Sequence, residues 1–158
     1  MTNARDNETV TSVAILDIRK QADGQLCVSV SGKIDENFHP DPVEPSYAGT
    51  VIVRLEGVRA LSSQGVRELE SFVAGLQPRK VVLQALSPAV ASQVAMIPNL
   101  FGQATIESVE LPFTCPACLK EKNATIPWSR QAHVEHAPKC ECGQAMELDG
   151  LAEMYLPV

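Results

Sequence analysis

The fold of this chain is decided by a short apolar run, TVIVRL at residues 50–55. β-Branched residues dominate the run, and Arg54 is its one charged residue. A second run of the same kind, KVVLQAL, follows at residues 80–86. Near-continuous apolar runs of this length are typical of strands in a sheet that has both faces covered. We therefore predict two central strands, each buried on both faces as in a sheet covered by helices.

Two helices are predicted beside these strands. Between the two runs, valines and leucines recur at three- and four-residue intervals from Val66 to Leu76, which is the period of an amphipathic helix. After the second run, Ser87 followed by Pro88 is a helix start, because serine caps the first turn and proline suits its first position. Pro98 should end this second helix, since the residue before a proline is pushed out of the helical region.

The segments on either side extend the sheet. An Asp-Gly turn signal at residues 23–24 lies between candidate strands at residues 13–18 and 26–30, which predicts a β-hairpin. The three prolines of residues 37–47 exclude a regular helix there. Residues 105–111 are predicted to form one more strand. The order β-β-loop-β-α-β-α-β is that of an α/β domain.

Composition is that of a packed protein, with 45% hydrophobic residues and a net charge of -6. No stretch is apolar and long enough to span a bilayer, and the polar start lacks the apolar run of a signal peptide. We predict a cytoplasmic protein with no membrane association. Its predicted parts are a disordered lead at residues 1–11, the α/β domain at residues 12–112 and a small module at residues 113–158.

The small module is defined by cysteines. Cys115 and Cys118 form a Cys-x₂-Cys pair, and Cys140 and Cys142 form a Cys-x-Cys pair about twenty residues later. Each pair can turn two sulfurs toward one point, and Zn²⁺ binds four such ligands in a tetrahedron. In the cytoplasm, paired cysteines bind metal more often than they form disulfides. We predict a zinc-ribbon-like β module with a structural Zn²⁺, in which residues 125–136 form a hairpin and residues 146–156 a last strand.

Other ligand sets stay open. His133 and His136 stand three residues apart, just before the second cysteine pair, and either could replace a cysteine. Cys27 lies alone in an alternating strand and is predicted to be a small buried side chain. Four cysteine ligands leave no metal position for water, so the site is predicted to be structural and not catalytic.

Five stretches of the first domain resemble a known family when they are taken together in order. They are GKID at residues 32–35, VRLEGV at 53–58, LSSQGV at 61–66, ALSPAV at 85–90 and LF at 100–101. In this order and spacing they resemble the STAS domain family, named for sulfate transporters and anti-sigma-factor antagonists. The likeness covers residues 13–111. The expected fold is therefore a STAS-like sheet with helices, followed by the zinc-ribbon-like module.

The resemblance implies a binding module and not an enzyme. In bacterial anti-sigma-factor antagonists a serine in this loop is phosphorylated by a partner kinase, and phosphorylation releases the partner. Ser63 matches that serine by position, and helix capping alone is the alternative role for Ser62 and Ser63. Two departures stand out: Ser62 replaces the family's aspartate and Gln64 replaces its second hydroxyl residue. Gly65 is predicted to allow close backbone packing.

The expected function is thus regulatory. The resemblance implies a protein partner, an anti-sigma factor or a switch kinase, which docks on Asp35 and on residues 62–65. No phosphate loop, nucleophile elbow or acid–base carboxylate pair indicates catalysis. The alternative is a zinc-ribbon protein that contacts nucleic acid or the transcription machinery, with the α/β domain as a scaffold. Both parts of the chain carry more acidic than basic residues: thirteen against nine at residues 1–112, and six against four at residues 113–158. This excess of negative charge argues against phosphate binding. A small-ligand pocket is a third reading, to which the sequence assigns no residues.

Overall fold

The computed structural model describes residues 14–43, 49–77 and 79–157. The predicted disordered lead at residues 1–11 and part of the proline-rich stretch lie outside the described residues. The described strands are β1 (Ile15–Lys20), β2 (Leu26–Ile34), β3 (Val51–Leu61), β4 (Val81–Gln84), β5 (Thr105–Ile106), β6 (Ser108–Thr114), β7 (Glu121–Pro127) and β8 (Glu147–Leu148). The described helices are α1 (Ser63–Gly75), α2 (Pro88–Met96) and α3 (Ala132–Glu135), with a 3-10 turn at Ala152–Met154.

The first five strands form one mixed sheet in the order β1-β2-β3-β4-β5. β1 and β2 are antiparallel and form the predicted hairpin, whereas β2, β3, β4 and β5 run parallel to one another. Parallel neighbours need crossover connections, and α1 and α2 supply two of them. The predicted α/β architecture of this part of the chain is confirmed in its element order up to β5.

The prediction that the central strands are buried on both faces is wrong for β3. Val51, Val53 and Leu55 are fully buried, but Ile52 and Arg54 between them are only half-buried. The strand order explains this alternation. The sheet advances in one direction from β2 to β5, and right-handed crossovers then place every connecting helix on the same face. The opposite face has no helix over it in the described part of the chain.

Both helices begin as their sequences predict. Ser62 precedes α1, and its hydroxyl oxygen accepts a hydrogen bond of 2.9 Å from the N–H of Gly65. Ser87 precedes α2 and accepts one of 3.3 Å from the N–H of Val90. Each serine satisfies a backbone donor that the first turn would otherwise leave unpaired. The apolar stripe of α1 is confirmed as well, because Val66, Leu69 and Val73 are all buried.

The proline-rich connection after β2 packs against α1. The ring of Phe38 lies edge-on to that of Phe72, with 5.9 Å between their centres. Phe38 and Val43 are buried. The connection therefore covers part of the sheet face on which the helices lie. In an ordinary crossover connection a helix would occupy this place.

The strand predicted at residues 105–111 is two strands in two sheets. Glu107 lies between β5 and β6, and its N–H donates to the Leu83 carbonyl at 2.9 Å. Two residues beyond the end of β4, the Leu86 N–H donates to the Ser108 carbonyl at 3.1 Å. The segment that follows β4 therefore bonds to β6 of the second sheet. The predicted domain boundary at residue 112 falls inside β6, which therefore joins the two sheets directly.

The last third of the chain forms an antiparallel sheet in the order β7-β6-β8. The hairpin predicted within residues 125–136 is wrong, because β7 pairs with β6 and Ala132–Glu135 is a helical turn. The predicted last strand at residues 146–156 is limited to β8, and the 3-10 turn follows it. Short segments with few apolar residues form brief strands and turns here.

One cluster of buried side chains runs through both sheets. It extends from Val28 and Leu83 in the first sheet, through Leu86 and Val109, to Phe113 in the second. Contact between the sheets is thus made by apolar packing as well as by the continuous chain. Among the described residues, no helix has the length and apolar character that crossing a membrane requires.

Candidate metal centre

The four cysteines predicted as ligands come together at the end of the three-stranded sheet. The sulfurs of Cys115, Cys118, Cys140 and Cys142 all lie within 4.8 Å of one another. Two close approaches join the two pairs: the sulfurs are 3.5 Å apart between Cys115 and Cys142 and 3.4 Å apart between Cys118 and Cys140. All four are free thiols. We call these four residues the cysteine cluster.

The spacing of the sulfurs fits a tetrahedral metal ion. A Zn–S bond of about 2.3 Å places the ligands of a regular tetrahedron about 3.8 Å apart. The sulfur separations in the cysteine cluster, from 3.4 Å to at most 4.8 Å, bracket that value. Four thiolates are also the donor set of structural zinc sites. The cluster could therefore hold one metal ion, and its geometry is consistent with zinc.

Backbone turns aim the first cysteine pair. Cys115 follows β6 directly, and its N–H donates to the Lys120 carbonyl at 2.9 Å. Its carbonyl accepts from the N–H of Leu119, also at 2.9 Å. The turn places Leu119 at a φ of 64°, in the left-handed region that glycine adopts most easily. No local pattern predicts this strain, because leucine is an unusual residue at such a position.

The second pair uses a tighter turn. The Gly143 N–H donates to the Cys140 carbonyl at 2.9 Å, and the Cys140 N–H donates to the Gln144 carbonyl at 2.8 Å. Gly143 has a φ of 92°, which its missing side chain permits. A bridge between Lys139 and Ala145 closes the loop. The two turns are thus built alike, with Leu119 and Gly143 each following the second cysteine of its pair.

The cluster is half inside the protein. Cys115 and Cys140 are buried, whereas Cys118 and Cys142 are exposed. Phe113, Ile126 and Met146 are buried in the same small core as the two inner cysteines. On the outer side, the Lys120 ammonium lies 3.1 Å from the Glu141 carboxylate and joins the two turns. This exposed pair contributes little energy, so the sulfurs and the small core hold the turns together.

Three of the thiols have pKa values displaced from the ordinary value of cysteine. The N–H of Cys118 donates to the Cys115 sulfur and lowers the pKa of Cys115 to about 6, against the opposing effect of burial. The N–H of Lys120 favours the thiolate of Cys118, but the bond with Cys140, burial and the neighbouring sulfurs raise the pKa of Cys118 to about 11. The Gln144 N–H acts in the same way on Cys142, whose pKa is nevertheless raised by Cys115 and Cys140. A divalent cation would supply the positive charge that four thiolates need.

Neither candidate histidine joins the cluster. Among the described residues, the group that could hold a metal ion consists of the four cysteines alone. His133 lies in α3 and His136 directly follows it, at the end of the helical turn. Nδ1 of His133 is buried and has no hydrogen-bond partner within the described ranges. The geometry therefore favours the four-cysteine set over the mixed sets.

The residues predicted to dock a partner meet at the carboxyl ends of β2 and β3. The Ser62 N–H donates to the Ile34 carbonyl at 3.0 Å. A Cβ atom on Gly65 would overlap the same carbonyl group, so Gly65 permits close packing as predicted. Asp35 lies next along the chain, and its carboxylate accepts from the Asn37 N–H at 2.9 Å. Its half-buried side chain thus organises the turn that leaves β2.

Two residues of this edge face the solvent. Ser63 and Gln64 form the exposed first turn of α1, and the Gln64 amide donates to the Glu68 carboxylate at 3.0 Å. Ser62 takes the capping role, which leaves Ser63 outside the cap.

Comparisons with protein-family models, with curated proteins and with solved structures found no match for this chain.

Proposed function

We propose that this protein is a non-enzymatic regulatory protein that docks a partner protein through the edge formed by Asp35 and residues 62–65. The observation that carries the proposal is the meeting of the end of β2 and the start of α1, joined by the hydrogen bond from Ser62 to Ile34. Ligand contacts in sheets of parallel strands are typically made at the carboxyl ends of the strands. The resemblance of residues 13–111 to the STAS family supports the same edge.

The switch would be phosphorylation of Ser63. Ser63 is exposed and is the first residue of a thirteen-residue helix. Helix starts attract phosphate because their N–H groups point outward and the helix dipole is positive there. Added negative charge at Ser63 would repel an acidic partner or disrupt a closely packed contact. The modified form would therefore release the partner that the unmodified form binds.

The partner we propose is an anti-sigma factor or a kinase of the switch type. We place the protein in the cytoplasm, because its five cysteines are free thiols and reducing conditions preserve them. The cysteine cluster would hold a structural Zn²⁺ and stabilise the second sheet. No observation favours nucleic acid as the partner, since residues 113–158 carry six acidic and four basic side chains.

Affinity capture from lysate of the native host tests this function, with wild type, Ser63→Ala and Ser63→Glu as baits. We expect wild type and Ser63→Ala to retain the same kinase-like or anti-sigma protein, and Ser63→Glu to lose it. Peptide fragmentation mass spectrometry of the protein from the same cells should find a phosphate on Ser63. Equal retention by all three baits, with no phosphate, would refute the switch.

A further variant separates docking from switching. Asp35→Lys reverses a charge on the same edge without touching Ser63. Loss of the partner with Asp35→Lys but not with Ser63→Glu would keep the docking site and remove the switch. Retention by both variants would place the docking site elsewhere and overturn the proposal.

A further inference from the structure

The strand at the outer edge of the five-stranded sheet, β1, is regular, and no other strand of the described residues pairs with its outer side. Within the described ranges it pairs with β2 alone, and its six residues keep an unbroken register. Ile15 and Ile18 are exposed at 64% and 44%. β1 contains no proline or bulge, two of the features that prevent an edge strand from pairing with another chain, although it carries the charged residues Asp17, Arg19 and Lys20. Such an edge is available for a further strand.

The hydrogen bonds fix which residues of β1 point outward. The Gln21 N–H donates to the Gln25 carbonyl at 2.7 Å, so this is a hydrogen-bonded pair of the hairpin. Such pairs alternate in antiparallel strands, which places the backbone groups of Arg19 and Asp17 toward β2. The Leu26 N–H, directed to Thr50 at 3.1 Å, agrees with this alternation. Leu16, Ile18 and Lys20 therefore direct their backbone groups to the free edge.

This alternation of inward and outward backbone groups allows β1 to pair with a second copy of itself. When two copies are placed antiparallel with Ile18 opposite Ile18, the outward backbone groups of the two strands match. In that register Asp17 of each copy lies opposite Arg19 of the other. These are non-hydrogen-bonded pairs, in which opposing side chains approach most closely. Shifting the register by two residues in either direction separates the opposite charges.

The two faces of β1 suit the same pairing. Leu16 and Ile18 lie opposite Val30 and Val28, on the side of the sheet that the helices cover. Ile18 would therefore meet its counterpart on the apolar side. Asp17 and Arg19 lie on the open side, where they already form an exposed ion pair of 2.9 Å within one chain. Exchanging that pair between two copies keeps the charges of Asp17 and Arg19 neutralised.

We propose that β1 joins two copies of this chain, edge to edge, into one continuous sheet centred on Ile18. A contact of one strand buries less surface than a stable dimer requires, so the association is weak and depends on concentration. The contact uses none of the residues of the Ser63 edge, because β1 would pair through the backbone groups of Leu16, Ile18 and Lys20.

Charge reversal provides the test. Asp17→Arg places two arginines opposite each other, and Arg19→Asp does the same with two aspartates. Each variant alone should remain monomeric in sedimentation equilibrium, at concentrations where wild type doubles its mass. An equimolar mixture of the two variants should form a dimer again, because each arginine then faces an aspartate of the other chain. Both side chains are exposed, so circular dichroism should match wild type.

A cysteine crosslink fixes the register. Ile18→Cys should form a disulfide between copies on mild oxidation, since paired Cα atoms about 5.5 Å apart suit such a bond. Leu16→Cys is the matched control, because its two copies would lie far apart in this register. Wild type that stays monomeric at millimolar concentration, or a variant mixture that stays monomeric, would overturn the proposal. So would equal crosslinking of the two cysteine variants.

Discussion

The five-stranded sheet carries helices of thirteen and nine residues on one face, whereas the three-stranded sheet has beside it a four-residue helix and a three-residue 3-10 turn. The first sheet buries valine and leucine along three parallel strands. The second buries a few large side chains, such as Phe113 and Ile126, next to two cysteines. Small units with little core depend on metals or disulfides for stability. One chain thus combines a helix-covered core with a small sheet whose four cysteines could hold a metal ion, and the two sheets are joined by a continuous segment of the chain.

Metal removal should have the largest effect, and it should fall on the three-stranded sheet. We expect one Zn²⁺ per chain, with loss of metal and of folded signals from residues 113–157 after strong chelation or in Cys140→Ser. Binding should weaken as pH falls, because protons compete with the metal for the thiolates. Elemental analysis and amide NMR spectra measure both effects.

Three variants serve as controls for the metal. Cys27→Ser changes the one cysteine outside the cluster and should keep the full metal content. His133→Ala and His136→Ala should keep it too, since neither histidine lies among the clustered ligands. Loss of metal in either histidine variant would contradict the four-cysteine site.

A core truncation should act on the other sheet. Leu83 is fully buried in β4, and Leu83→Ala removes apolar contacts and leaves a cavity. The expected loss of unfolding free energy is about 2–5 kcal/mol. Denaturant unfolding measures it, with Met96→Ala as an exposed control that should change little. A loss of folded structure in the second sheet alone would contradict the view that Leu83 stabilises the first sheet.

Close packing at the start of α1 should be sensitive to a single methyl group. In Gly65→Ala the new Cβ would lie 2.6 Å from the Ile34 carbonyl carbon, so helix and strand must separate. We expect a loss of about 1–3 kcal/mol in unfolding free energy. Gly75→Ala is the matched control in the same helix, where a Cβ meets open space and alanine favours the helix. Equal stability of the two variants would refute the contact.

Removing the cap of α1 should have a smaller effect. Ser62→Ala leaves the Gly65 N–H without its acceptor, which should lower stability by about 1 kcal/mol. Ser62→Asp should restore most of it, because a carboxylate caps the helix and suits its dipole. Thermal unfolding of the three proteins decides between capping and a role limited to binding.

The smallest expected change is a gain. Leu119→Gly places glycine at a φ of 64° and should relieve strain in the first cysteine turn, raising stability by about 0.5–1 kcal/mol. Leu119→Ala removes the exposed side chain but keeps the strained backbone, so it should bring no such gain. Thermal unfolding of the metal-bound forms compares them. A gain with alanine would show that exposure of the leucine, and not its backbone, is unfavourable.

Local sequence signals predicted the two long helices and the four cysteines of the cluster, whereas the histidine alternatives stayed open until the sulfurs were seen together. Serine and proline at residues 87–88 start α2, the apolar period from Val66 to Leu76 makes α1 a buried helix, and the paired cysteines place four sulfurs on two turns. These features depend on neighbours in the chain. They could be read because capping, helical period and ligand spacing act over a few residues.

The burial of the strands and their pairing across the two sheets depend on contacts between distant parts of the chain. The strand order of the first sheet sets which face of β3 is buried. The chain passes from the first sheet to the second at Glu107, where the backbone bonds to Leu83 and Leu86 form. The choice of β6 as the partner of β7 joins residues up to nineteen positions apart. The strain at Leu119 follows from closing the cysteine turn. Contacts between distant residues set each of these, and no local pattern records them.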